Sequence, residues 1–287
     1  MNGNDTDTCV GDIPGLQTLP VAKPIAAFDR PLAGAESILE PMGRWTALIE
    51  VLFVLVMFFQ PLFYQVVLGE TATSEGRDLG VRIYWLPVFQ GTAALALIAF
   101  VLYKGGHSWR GLGWRFDSVG RDVLTGGLGL ATIYALQLCI VAWIFIISLL
   151  WPELMKDTMR SRVELAGKFV PLPLSLLIPF CLFVGFYEEL MFRGFLLTRL
   201  RVVLGNWIGP VLIGSTIFAM GHLYEGWLGV FQVFTLAVIL SGLFVLRGSI
   251  LAPILVHAAF NFISLWLAPQ VVDWAKSVKS VGLLMSF

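Results

Sequence analysis

Charged side chains are scarce in this chain. Asp, Glu, Lys and Arg make up 13% of its 287 residues, against about 25% in an ordinary soluble domain. That scarcity excludes a solvated surface of the usual extent. The charge present is balanced, 19 basic residues against 19 acidic ones. No basic excess is available to hold nucleic acid, and no nucleic-acid partner is expected. Cysteine is rare as well. Cys9, Cys139 and Cys181 are widely spaced and form neither a CxxC pair nor a metal-ligand pattern. Two of them lie in apolar runs, where cysteine behaves as a small hydrophobe. Aspartate is missing from the apolar runs altogether, which argues against an aspartyl dyad working inside a membrane. No GxSG-type element appears to supply a serine nucleophile.

What the chain has in place of charge is long apolar blocks. Hydrophobic residues make up 57% of it, above the typical ~45–50%. A membrane-spanning helix needs about 20 mostly apolar residues. Runs near 46–68, 82–103, 124–150, 169–192, 207–224, 228–246 and 249–268 meet that need. The expected architecture is all-α, a polytopic bundle of about 7–8 transmembrane helices. Residues 1–43 carry Asp5, Asp7, Asp12, Asp29, Glu36 and Glu40 and are interrupted by Pro14, Pro20, Pro24, Pro31 and Pro41. They read as an irregular extramembrane tail and lack the basic start and apolar centre of a signal peptide. Residues 44–268 form the bundle. Residues 269–287, with Lys276 and Lys279 among apolar neighbours, read as an interfacial C-terminal helix. The stretch 151–168 is the most highly charged and reads as a solvated loop. A slight excess of Lys and Arg on the N-terminal side favours a cytoplasmic N-terminus.

One apolar run breaks the pattern. Within Phe186-Tyr187-Glu188-Glu189-Leu190-Met191-Phe192-Arg193 three ionisable residues fall inside six positions. Each costs roughly 2.5–3.5 kcal/mol at the centre of a bilayer on insertion scales. Such clusters mark functional sites with a nameable partner. Residues four apart on a helix share a face, so Glu189 and Arg193 can pair while Glu188 points elsewhere. That spacing divides the cluster into a support pair and a free carboxylate.

The partners are read from depth and spacing. Glu188 is followed after seventeen residues by Gly205, in a Gly205-Asn206 turn, and His222 lies seventeen residues beyond. An antiparallel helical hairpin would bring Glu188 and His222 to similar depth, with Phe218 on the face of His222. His257 and Asn261, four apart in the last apolar run, share another face that should point into the bundle. His222 lies near the end of its run and His257 near the middle of its own. A helix break at Gly221 or Gly226 would reconcile them. A desolvated carboxylate suits a general base, so Glu188 with His222 can activate a water. His257 and Asn261 can donate hydrogen bonds to the oxyanion of a tetrahedral intermediate. The same Glu188, His222 and His257 can equally supply three ligands to a zinc ion with an open water position.

Glu188-Glu189-x-x-x-Arg193, Phe218-x-x-x-His222 and His257-x-x-x-Asn261 together resemble the three-part signature of the CAAX protease and bacteriocin-processing (CPBP, or Abi) family, the type II CAAX prenyl endopeptidases. Each motif alone is weak, but three in order, each in an apolar run, are specific. The resemblance covers roughly 105–268, with Gly111-Leu112-Gly113-Trp114 as a further short element. It implies an intramembrane endopeptidase acting on a membrane-associated protein or peptide, prenylated at its C-terminus in eukaryotic relatives. It implies Glu188 and His222 as the water-activating pair, His257 and Asn261 as the oxyanion side, and Glu189, Arg193 and Phe218 as support. The family has been described both as metalloproteases and as glutamate proteases. The absence of an HExxH helix favours the second, with no required cofactor and zinc as the alternative. The bilayer is the other partner, and the inner membrane of a prokaryote the expected location. Two other readings of the scaffold stand beside this one: a non-catalytic immunity or assembly factor, and a proton-coupled carrier using Glu188 as a relay. No internal repeat supports the carrier.

Overall fold

Without water to satisfy backbone N–H and C=O groups, a chain crossing a bilayer must pair them within each segment. The apolar runs accordingly become helices. In the computed structural model, which describes residues 34–67 and 82–280, these helices are α1 (Arg44–Val67), α2 (Arg82–Gly105), α3 (Val119–Leu150), α4 (Pro152–Gly167), α5 (Leu174–Glu189), α6 (Thr198–Leu204), α7 (Ile208–Met220), α8 (Gly226–Arg247) and α9 (Leu251–Ser280). Among the described residues there is no strand. A π-helical segment, Leu190–Leu197, joins α5 to α6, so that Leu174–Leu204 is one continuous rod. Among the described residues, five helices are long and apolar enough to cross a membrane: Tyr84–Gly105, Val119–Leu150, Leu174–Leu204, Leu223–Arg247 and Leu251–Trp274. The apolar α1, with 24 residues, and the short α7, with 13, complete the seven segments read from the sequence.

The outside of the bundle is apolar. Leu128, Trp143, Phe145, Leu176 and Phe231 are all largely exposed. A soluble monomer rarely shows contiguous apolar surface of this kind, whereas a bilayer solvates it. The molecule is an integral multi-pass membrane protein.

The structure departs from the sequence reading in three places. The charged stretch 151–168 is not a loop but holds the helix α4, opened by Pro152 in its first turn. Proline suits that position because its missing N–H has no intrahelical partner there anyway. Helix α3 begins at Val119, five residues before the apolar run, and so takes in Asp122. That carboxylate is buried because Arg247 (2.8 Å) and Ser249 (2.9 Å) both donate to it from the α8–α9 junction. At the C-terminal end, α9 runs through Pro269 to Ser280 without interruption. Residues 34–43 hold a 3-10 turn, Glu36–Ile38, and pack by Ala35 and Ile38 against the core. Glu36 accepts hydrogen bonds from Arg201 and from the Trp207 indole at 3.0 Å. Residues 1–33, 68–81 and 281–287 lie outside the described residues.

Two helices define the centre. Helix α5 packs most extensively against α9, and the reason is Gly185. A Cβ there would lie 3.0 Å from the Ala258 amide nitrogen and 3.2 Å from its Cβ. Small residues let two helix backbones approach in this way inside a membrane. The approach sets Glu188 and Glu189, one turn beyond Gly185, directly beside His257, the neighbour of Ala258.

Candidate active site

The site is built on α5, the π segment, the end of α7 and α9. Glu189 and Arg193 pair as their spacing predicts, with Arg193 Nη1 donating to Glu189 Oε1 at 2.7 Å. Both are fully buried, at 0% and 1% exposure. Burying two charges costs several kcal/mol per ion unless the remaining polar atoms find partners. Arg193 finds two more. Its Nη2 donates to the Ala237 carbonyl of α8 at 3.1 Å, and its guanidinium stacks 4.8 Å from the centre of the Phe218 ring. The pair sits where α5 passes into the π segment. Isolated π turns inside α-helices recur at functional sites.

Glu189 also holds His257. His257 Nδ1 lies 2.6 Å from the same Oε1. A carboxylate oxygen only accepts, so Nδ1 carries the proton and Nε2 is turned away from Glu189. Nε2 lies 3.7 Å from Oε2 of Glu188. Arg193, Glu189 and His257 are therefore a relay of fixed geometry whose free end faces Glu188.

Glu188 is the less enclosed carboxylate, with 12% of its side chain exposed. Its Oε1 accepts a hydrogen bond from the Tyr187 hydroxyl at 2.9 Å. Its Oε2 is buried and accepts none from the described residues. Sequence reasoning missed Tyr187, because a tyrosine in an apolar run carries no signal of its own.

His222 comes from a helix end. Helix α7 stops at Met220, and a 3-10 turn, Leu223–Glu225, leads to Gly226, whose φ of 78° starts α8. This is the break foreseen at Gly221 or Gly226. Glycine reaches that φ without the Cβ clash other residues suffer. His222 Nδ1 donates to the Phe218 carbonyl at 3.0 Å, an acceptor near the end of α7 that also takes the Gly221 amide at 3.2 Å. In the neutral ring this leaves the Nε2 lone pair free. Phe218 ties the site together. Its fully buried ring lies 4.9 Å from the His222 ring and 5.8 Å from that of His257. His222 thus reaches the cluster through Phe218, and the carboxylate recorded nearest His257 Nε2 is Glu188. Asn261 sits half-buried one turn beyond His257 on α9.

Among the described residues, no group of three His, Cys, Asp or Glu side chains is arranged to hold a metal ion. Glu188, His222 and His257 as placed do not form a ligand set. Beside the site, between α7 and α8, lies an apolar cleft of about 220 Å³. It is lined by Ala219, Met220, Trp227, Val230 and Phe231 among others.

These elements define a multi-pass helical membrane protein with a buried glutamate–histidine–arginine cluster. Residues 170–263 match the family model of Type II CAAX prenyl endopeptidase Rce1-like proteins. The matched region runs from just before α5 into α9 and contains Glu188, His222, His257 and Asn261. The family so matched is one of prenyl endopeptidases, and the match covers 94 of the 287 residues. Neither a curated protein nor a solved structure matches the chain.

Proposed function

We propose that the protein is an intramembrane endopeptidase of the glutamate type. Its substrate is the C-terminal region of a membrane-associated, prenylated protein or peptide. The observation that carries this reading is the buried, unpartnered Oε2 of Glu188 facing His257 Nε2 at 3.7 Å. A buried acceptor without a donor is costly. Here it is aimed at a histidine whose orientation two further residues maintain.

In the proposed reaction Glu188 takes a proton from water while the water oxygen bonds to the scissile carbonyl carbon. His222 Nε2, its ring fixed by the Phe218 carbonyl, orients that water. The carbonyl oxygen becomes the oxyanion. It receives hydrogen bonds from Asn261 and from His257 Nε2–H in the imidazolium form, which the Glu189 carboxylate supports. The C–N bond then breaks as Glu188 returns its proton to the leaving amine. A positioned general base contributes about 10²–10⁴-fold, and one oxyanion donor about 10²–10³-fold. The apolar cleft between α7 and α8, whose lining includes Met220 two residues before His222, supports an apolar tail on the substrate.

The test is cleavage of a library of C-terminal peptides, prenylated and unprenylated, by the purified protein in liposomes. Wild type and Glu188→Ala are compared with and without a chelator. The expected result is chelator-resistant cleavage that Glu188→Ala loses. Full activity in folded Glu188→Ala protein would overturn the reading. Loss on chelation with recovery on added zinc would replace its glutamate-type chemistry with a metal-dependent one.

A further inference from the structure

The proposed chemistry leaves Tyr187 without a role, yet the fold reserves a place for it. Tyr187 is 3% exposed. Its ring lies against Phe183, with centroids 5.5 Å apart, and against the backbone of α2 at Gly91. A Cβ at Gly91 would press into one edge of the Tyr187 ring, 2.7 Å from Cγ and 2.8 Å from Cε1. Real Cβ atoms do not approach so closely, so any residue larger than glycine at position 91 must shift the ring. The ring ends in a hydroxyl that donates to Glu188 Oε1. Glu188 has a free choice of rotamer unless something holds one oxygen, and Tyr187 is the only donor recorded to it among the described residues.

We infer that Tyr187, seated in the slot left by Gly91 of α2, is a positioning residue that holds Glu188 Oε1 and thereby directs Oε2 at the reacting water. The inference rests on Glu188 acting as the base. It brings α2, which lies outside the matched region 170–263, into the machinery. Tyr187 supplies no proton and touches no reacting atom. It restricts the carboxylate to one orientation, which is the contribution of pre-arranged geometry to catalysis.

The experiment measures kcat and KM in liposomes for Tyr187→Phe, Gly91→Ala, the double variant and Glu188→Ala, with the melting temperature of each. Tyr187→Phe is expected to lower kcat roughly ten- to a hundredfold, the equivalent of one hydrogen bond to a charged group, with KM and melting temperature near wild type. Gly91→Ala is expected to lower kcat in the same sense. In the Tyr187→Phe background, Gly91→Ala should lower kcat much less than it does in wild type, because both act through one hydroxyl. A purely structural role would make the two losses multiply and would move the melting temperature with them. Wild-type kcat in Tyr187→Phe, or multiplicative losses, overturns the inference. If Glu188→Ala is inactive while Tyr187→Phe is fully active, the positioning role fails and the proposed base stands. If Glu188→Ala is active, both fail.

Discussion

Replacing Arg193 by leucine tests how the buried charges are held. Arg193 is fully enclosed and gives hydrogen bonds to Glu189 and to the Ala237 carbonyl. Its removal takes the guanidinium from the Glu189 carboxylate and leaves it His257 Nδ1–H on Oε1, while Oε2 has no hydrogen-bond partner even in the wild type. Breaking a buried pair from one side costs about 3–5 kcal/mol. At about 2–4 °C per kcal/mol for a chain approaching this size, the melting temperature in detergent should fall by roughly 6–20 °C. The leucine partly offsets the loss, because it fills much of the volume against Phe218. A cycle with Glu189→Gln separates the pair from its surroundings. Once the carboxylate is neutral, Arg193→Leu strands nothing, so the double variant should lose less stability than the sum of the singles. An Arg193→Leu protein melting within about 2 °C of wild type, or strictly additive losses, would refute the view that Glu189 depends on Arg193.

Other expectations follow from the same contacts. Gly185→Val should separate α5 from α9 and destabilise by about 1–3 kcal/mol, as over-packing does, with a loss of cleavage larger than the loss of folded protein. Gly127→Ala, at a position with nothing within 4 Å, is the neutral control. His222→Ala should abolish cleavage with little change in melting temperature, since the side-chain bond it removes goes to the Phe218 carbonyl, which keeps the Gly221 amide as a donor. A cleavage rate at wild-type level would remove His222 from the site. Glu40 predicts a pH effect outside the membrane. Burial pushes its carboxyl upward, but the Ser108 hydroxyl and amide and the His107 imidazole outweigh this and hold it below the ordinary 4.5. A carboxyl lowered by folding stabilises the fold above its unfolded value, and that contribution is lost as pH falls through the lower folded value. The melting temperature should therefore drop as the pH is taken below about 4.5, less steeply in Glu40→Gln. Equal slopes would exclude Glu40 as the cause.

Much of the site could be read without coordinates because helical periodicity is rigid. The pairing of Glu189 with Arg193 and the stacking of Phe218 on His222 are both i,i+4 relations, which any helix enforces. The break after Met220 was legible in the glycines that follow it. Relations across helices were not legible in this way. That Glu189 holds His257 as well as Arg193, and that Glu188 faces His257 across 3.7 Å, depends on the Gly185–Ala258 crossing. Glu50 lies in the apolar run of α1. It pairs with Arg199 at 3.0 Å, 149 residues away. The partner of His107, Glu40, likewise comes from a distant part of the chain. Helix α4 was hidden by its charge, because a polar amphipathic helix and a solvated loop share a composition.

By itself the sequence determined the class and the inventory. Apolar length dictates spanning helices, because a bilayer leaves backbone groups no other partner. Ionisable residues inside those helices demand a purpose because they are costly there. Only the tertiary structure decided the wiring. Which carboxylate meets which imidazole, and which tyrosine holds Glu188, are set by how closely two backbones pass. That distance depends on single missing side chains, at Gly185 and Gly91, whose effect appears only when the facing helix is in place.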